Sequence, residues 1–78
     1  MAWQLKKTVA VADKTLEVED AETLVDWLLE TPNGKVNLKD NEYMHTAVAQ
    51  VLIASGVVIS VTPSSASQQQ ILQKLRLI

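Results

Sequence analysis

Val36-Asn37-Leu38-Lys39-Asp40-Asn41-Glu42-Tyr43-Met44-His45-Thr46-Ala47-Val48-Ala49-Gln50-Val51-Leu52-Ile53-Ala54-Ser55-Gly56 is the stretch that decides the fold. Its apolar-polar-apolar start at Val36, Asn37 and Leu38 predicts a short buried strand, followed by a polar loop carrying Asp40 and Glu42. From Thr46 to Ser55 the residues are almost all Ala, Val, Leu and Ile, interrupted by Gln50. That composition predicts a helix buried over most of its circumference, and Gly56 stands where a C′ glycine ends one. The order is strand, loop, buried helix. A helix start at the carboxyl end of a strand offers unpaired N–H groups and a partial positive charge, which singles out the Thr46 hydroxyl at the junction.

On the N-terminal side, residues 3 to 11 alternate around Trp3 and Leu5 and again around Val9 and Val11, predicting one or two short strands. Ala12-Asp13-Lys14 reads as a turn, and Thr15 to Val18 alternates again. A hairpin between residues 8 to 11 and 15 to 18 and a single strand with an extended lead into a helix both fit. Lys6 and Lys7 are expected on or near a sheet edge, where lysine discourages pairing with another chain. Asp20 is the expected N-cap of a helix over 21 to 30, with Glu22 in its first turn. Ala21, Leu24, Val25 and Leu28 form its apolar face, and Trp27 at the margin reads as a core residue before a partner anchor. Thr31-Pro32-Asn33-Gly34 breaks this helix and turns the chain into the Val36 strand.

On the C-terminal side, Val57 to Val61 is a nearly unbroken β-branched run, expected as a parallel strand covered on both faces. Ser65 with Gln68 three residues on has the form of a capping box. Ile71, Leu72, Leu75 and Ile78 make a last apolar stripe, which favours a final helix over a disordered tail for the Ser- and Gln-rich segment. The sum is an α/β domain over residues 1 to 78, an open mixed sheet of about four strands with three helices and right-handed crossovers.

Composition narrows the function classes. The chain has 78 residues, no cysteine, one histidine and a formal charge of −2. Thiol catalysis, thiolate metal sites and disulfides are excluded, and the acidic balance argues against phosphate backbones and anionic lipid. His45 with Asp40 and Glu42 matches no zinc-ligand spacing, so no metal and no cofactor is expected. A Thr46 nucleophile with His45 as base fails on direction, since neighbours at a helix start diverge and no third group orients the base. Hydrophobic content of 47% with no Phe predicts a packed aliphatic core. The longest apolar run is too short to span a bilayer and no signal-peptide core is present, so the expected location is the cytoplasm.

The element order, with the site at the start of the second helix, resembles the STAS family (sulfate transporter and anti-sigma factor antagonist domains). Val36-Asn37-Leu38 looks like that family's apolar-Asp-Leu strand. His45 to Leu52 lines up without a gap with a family variant reading Asp-Thr-Ala-Gly-Leu-Gln-Leu-Leu, which puts Thr46 on the phosphorylated Ser or Thr. The likeness covers about residues 8 to 78. His45, Val48 and Asn37 depart from the family's Asp, Gly and Asp. The resemblance implies a non-enzymatic regulatory module of the bacterial type, docking a partner protein through Asp40, Asn41, Glu42, His45, Thr46 and Gln50. Phosphorylation of Thr46 is the control it implies, by a kinase or an anti-sigma-like regulator. The alternative is a constitutive structural subunit of a larger assembly, for example of the lipid-transporter type, or a homodimer. The unaided readings of Thr46 and His45 are a helix cap and a loop histidine with a local hydrogen bond.

Overall fold

The computed structural model describes residues 2–78. Along the chain the elements are β1 (Trp3–Leu5), β2 (Val9–Ala12), β3 (Thr15–Leu16), α1 (Val18–Glu30), β4 (Lys35–Asn37), β5 (Tyr43–Met44), α2 (Thr46–Ser55), β6 (Val58–Val61) and α3 (Ala66–Lys74). Four strands form a mixed sheet in the order β1-β2-β4-β6. β1 runs antiparallel to β2, while β2, β4 and β6 are parallel. The expected mixed sheet of about four strands with three helices is therefore present.

The crossovers β2-α1-β4 and β4-α2-β6 step in the same direction across the sheet. Right-handed crossovers then place α1 and α2 on one face, where the two helices pack against each other. The pleat sends every second side chain to that face. Register aligns Ala10 with Val36 and Val36 with Ile59. Ala10, Ala12, Val36 and Leu38 are fully buried against Leu24, Val48 and Leu52 from the helices. Trp3 and Trp27 complete this mainly aliphatic core, and Trp3 Nε1–H donates to the Asp20 carbonyl at 3.0 Å. Trp27 lies over Gly34, where a Cβ would stand 2.7 Å from two carbons of the indole ring. Gly34 is thus required by the close approach of a side chain.

Several expectations change. α1 starts three residues earlier than a helix over 21 to 30, because Glu17 is the N-cap and Asp20 sits at N3. The Asp20 carboxylate reaches back to accept the Glu17 N–H at 2.7 Å, so Asp20 serves the helix start from inside it. The buried face is Asp20, Ala21, Leu24 and Trp27 with Leu28 half-buried, which rotates Val25 out toward solvent. The hairpin is β1-β2, with Lys6 and Lys7 exposed in its turn beside the sheet edge. β3 does not pair with β2 but runs parallel to β5, a partner 28 residues away, Thr15 opposite Tyr43. β6 is not covered on both faces: it is the terminal strand, with Val58 and Val61 exposed. In α3 only Leu72 of the expected stripe is buried, while Ile71, Leu75 and Ile78 stay exposed.

α3 is held by polar chemistry as much as by Leu72. Ser65 caps it as expected, accepting the Gln68 N–H at 3.3 Å. The Gln68 side chain, however, turns inward and donates to Asn41 Oδ1 at 2.7 Å. Asn41 is fully buried, and its Nδ2 donates to the carbonyls of Asp13 at 3.1 Å, Lys14 at 3.4 Å and Tyr43 at 2.9 Å.

Two stability outcomes follow from these contacts. Asn41→Ala strands the buried Gln68 amide and the loop carbonyls, and should cost about 2 to 4 kcal/mol in urea unfolding, at about 1 to 3 per orphaned group. Gly34→Ala should cost about 1 to 3 kcal/mol by overpacking against Trp27, read by the same titration through tryptophan fluorescence.

Candidate functional site

α2 runs from Thr46 to Ser55 as its sequence predicts, and Gly56 ends it with φ 64°, the left-handed conformation that suits glycine. Its N-cap is His45 and not Thr46. The His45 ring Nδ1 accepts the Ala47 N–H at 3.0 Å, and the His45 carbonyl accepts the Val48 N–H at 2.9 Å. The first-turn N–H groups of Ala47 and Val48 are therefore already satisfied inside the chain. Thr46 is the first helical residue and is exposed, so its hydroxyl is freed from the capping role.

The loop before α2 is fixed from beneath. The N–H groups of Glu42 and Tyr43 donate to the Lys14 carbonyl at 2.8 and 3.0 Å, and that of His45 donates to the Leu16 carbonyl at 2.8 Å. Asn37 accepts the Lys39 N–H on its Oδ1 at 2.9 Å and shapes the turn out of β4. Of the six predicted contact residues, Asp40, Glu42, Thr46 and Gln50 are exposed and His45 is half-buried. Asn41 is enclosed, so its side chain holds the loop and cannot meet a partner. Gln50 follows Thr46 by four residues and shares its helix face. Val48 points into the core at zero exposure, which leaves the outer surface of the helix start unobstructed.

Two hollows along the α1–α2 seam went unseen in the sequence. One, about 640 Å³, lies among Ala21, Glu22, Asp26, Ala47 and Gln50; the other, about 740 Å³, lies among Leu28, Leu29, Pro32, Gly34 and Val58. Val25, Val51 and Ala54 line both, so they form one groove leading from beside Thr46 to the far ends of the helices. Its floor is apolar, and Glu22 and Asp26 stand on one wall. Leu29, 77% exposed, marks the far end. The available signal was α2 itself: an almost wholly apolar helix in a chain too small to enclose it.

The Nδ1 lone pair of His45 is engaged with Ala47, and among the described residues no three His, Asp or Glu side chains converge as metal ligands. No helix among the described residues is long and apolar enough to cross a membrane.

His45→Ala should destabilise the fold by about 1 kcal/mol, and His45→Asp should recover most of that loss, since both His45 and Asp carry an acceptor able to cap Ala47. Thermal and urea unfolding of the two variants check this. No family model matches this chain, and no curated protein or solved structure matches it either.

Proposed function

We propose that this protein is a non-enzymatic interaction module of the STAS type, docking a partner protein through the start of α2 and the loop before it. The observation that carries the reading is the exposed Thr46 hydroxyl at the first position of a capped helix, next to Ala47 and one turn before Gln50, both of which line an apolar groove. A hydroxyl that is not needed as a cap, held on a loop tied down by backbone hydrogen bonds, is a pre-ordered contact point. The family departures leave this reading intact. His45 retains the capping chemistry that Asp supplies, and Val48 is spent on the core.

Phosphorylation of Thr46 is the control mechanism of this reading. A phosphate adds about −1.5 to −2 charges next to Asp40 and Glu42, repelling an acidic partner surface and attracting an arginine cluster. With the N–H groups of Ala47 and Val48 already bonded within the chain, the phosphate acts by charge more than by helix-start hydrogen bonds.

A constitutive structural subunit is the second reading, and one observation favours it. Between Glu42 and Lys74 the sequence contains no Asp, Glu, Lys or Arg, yet α2, β6 and most of α3 lie within that stretch and expose Ile53, Val58 and Ile71. Surface of that kind marks a lasting contact.

The test compares quantitative affinity capture from the native cell by the wild type, Thr46→Glu and a remote control, Lys7→Glu. Loss of a defined partner with Thr46→Glu alone is the expected result. A partner retained equally by all three supports the constitutive subunit, and identical sets without any specific partner refute docking at α2.

A further inference from the structure

We propose that the α1–α2 groove receives the end of α3 from a second copy of this chain, with Ile71 and Leu75 entering the apolar floor and Lys74 and Arg76 meeting Glu22 and Asp26. The inference rests on the groove and on α3, independently of Thr46. The two surfaces match in apolar character, in the sign of charge from end to end, and in length.

The groove is the concave half. Val25, Val51 and Ala54 run along its floor through both hollows. On α1, Glu19, Glu22, Asp26 and Glu30 follow one another at spacings of three, four and four, which sets them in one exposed column, with Glu22 and Asp26 at the groove wall. The helix carries no Lys or Arg, so the column repels itself and favours a cationic neighbour. That preference belongs to one end of the groove. Among the described residues, the far hollow is lined by Lys35 and by no carboxylate. The occupant that fits therefore carries its cations at the Glu22 end and is uncharged at the other.

α3 is the convex half. Ile71 is 52% and Leu75 41% exposed, one turn apart on the same side of the helix, so this apolar pair is left uncovered by the chain's own fold. Residues 66 to 78 include Lys74 and Arg76 and no Asp or Glu, and Ala66 to Gln73 are uncharged. The Leu77 N–H donates to the Leu72 carbonyl at 2.9 Å and closes the helix end with Arg76 at φ 60°, so both cations stand on an ordered backbone. With Lys74 and Arg76 placed at Glu22 and Asp26, the uncharged first turn of α3 falls at Lys35. α3 then runs antiparallel to α1 and α2, whose starts line the near hollow and whose ends line the far one, an arrangement the helix dipoles favour. The nine residues of α3 rise about 14 Å, and the α1 wall from Ala21 to Leu29 rises about 12 Å. Charge thus selects the occupant: the α1 column cannot face its own copy across a two-fold axis, whereas the same chain supplies a cationic, apolar ridge of matching length.

Sedimentation equilibrium of the purified full chain, from low to high micromolar concentration, reads the contact, and the wild type should self-associate. Exchange of α3 between two copies closes a dimer and one-way insertion gives longer assemblies; either supports the contact. Glu22→Lys with Asp26→Lys, and separately Lys74→Glu with Arg76→Glu, should each weaken association at least about tenfold with far-UV circular dichroism unchanged. Mixing the two double variants should restore it, because every groove then meets an α3 of opposite charge. A wild type that stays monomeric overturns the proposal and leaves the groove to a basic helix of another protein. Association indifferent to either pair of substitutions, or not restored by mixing, also overturns it. Should a variant fail to fold, carbodiimide cross-linking of mixed isotopically light and heavy wild type decides. Links between Lys74 of one copy and Glu22 or Asp26 of another are expected, and links between copies formed only elsewhere, or not at all, reject the contact.

Discussion

The hydrogen bond from Gln68 Nε2 to Asn41 Oδ1, 2.7 Å long and closed to solvent, is the constraint on which the upper half of the domain depends. Buried amides are stabilising only when fully satisfied, and this pair meets that condition by gathering carbonyls from separate segments. Asn41 bonds the carbonyls of Asp13, Lys14 and Tyr43, and Gln68 brings in α3. In a chain of 78 residues the apolar core alone leaves little margin, and such a polar clasp also fixes one arrangement of loops among many. The loop leading to Thr46 inherits its geometry from that clasp.

Below the clasp, α2 governs the architecture. It is apolar on nearly every side, but the sheet and α1 can cover only part of its circumference. What remains is a groove on the α1 side and the Ile53 flank on the other. The proposed docking of a partner protein at the helix start draws on this excess of apolar surface.

The legible parts of the fold were those governed by neighbours in the chain. The span of α2 and its Gly56 ending, the break at Thr31 to Gly34, and the Ser65 cap each depend on residues within one turn. Capping was misread where several polar residues lie in succession. Asp20 and Thr46 are ordinary cap types, yet Glu17 and His45 hold those positions, because the Asp20 carboxylate serves from N3 and the histidine ring reaches Ala47. Of the candidate site, Asp40, Glu42, Thr46 and Gln50 proved accessible. Asn41 did not, since its burial is imposed by carbonyls drawn from a turn 27 residues earlier.

Local chemistry settles the span of α2, where the chain turns and most of the strand-forming stretches, because propensity, capping and the φ demanded of Gly56 act over a few residues; it missed β5, which the sequence offers only as part of a polar loop, and the first turn of α1. Packing across distance settles the rest. It pairs β3 with β5 in place of β2, leaves β6 at an edge although its composition suits a central strand, and turns Gln68 inward to Asn41. It also separates the opening stretch into a buried Val48, a capping His45 and an accessible Thr46. Each of those outcomes turns on which surfaces meet after the chain has closed on itself, information that no short window of residues contains.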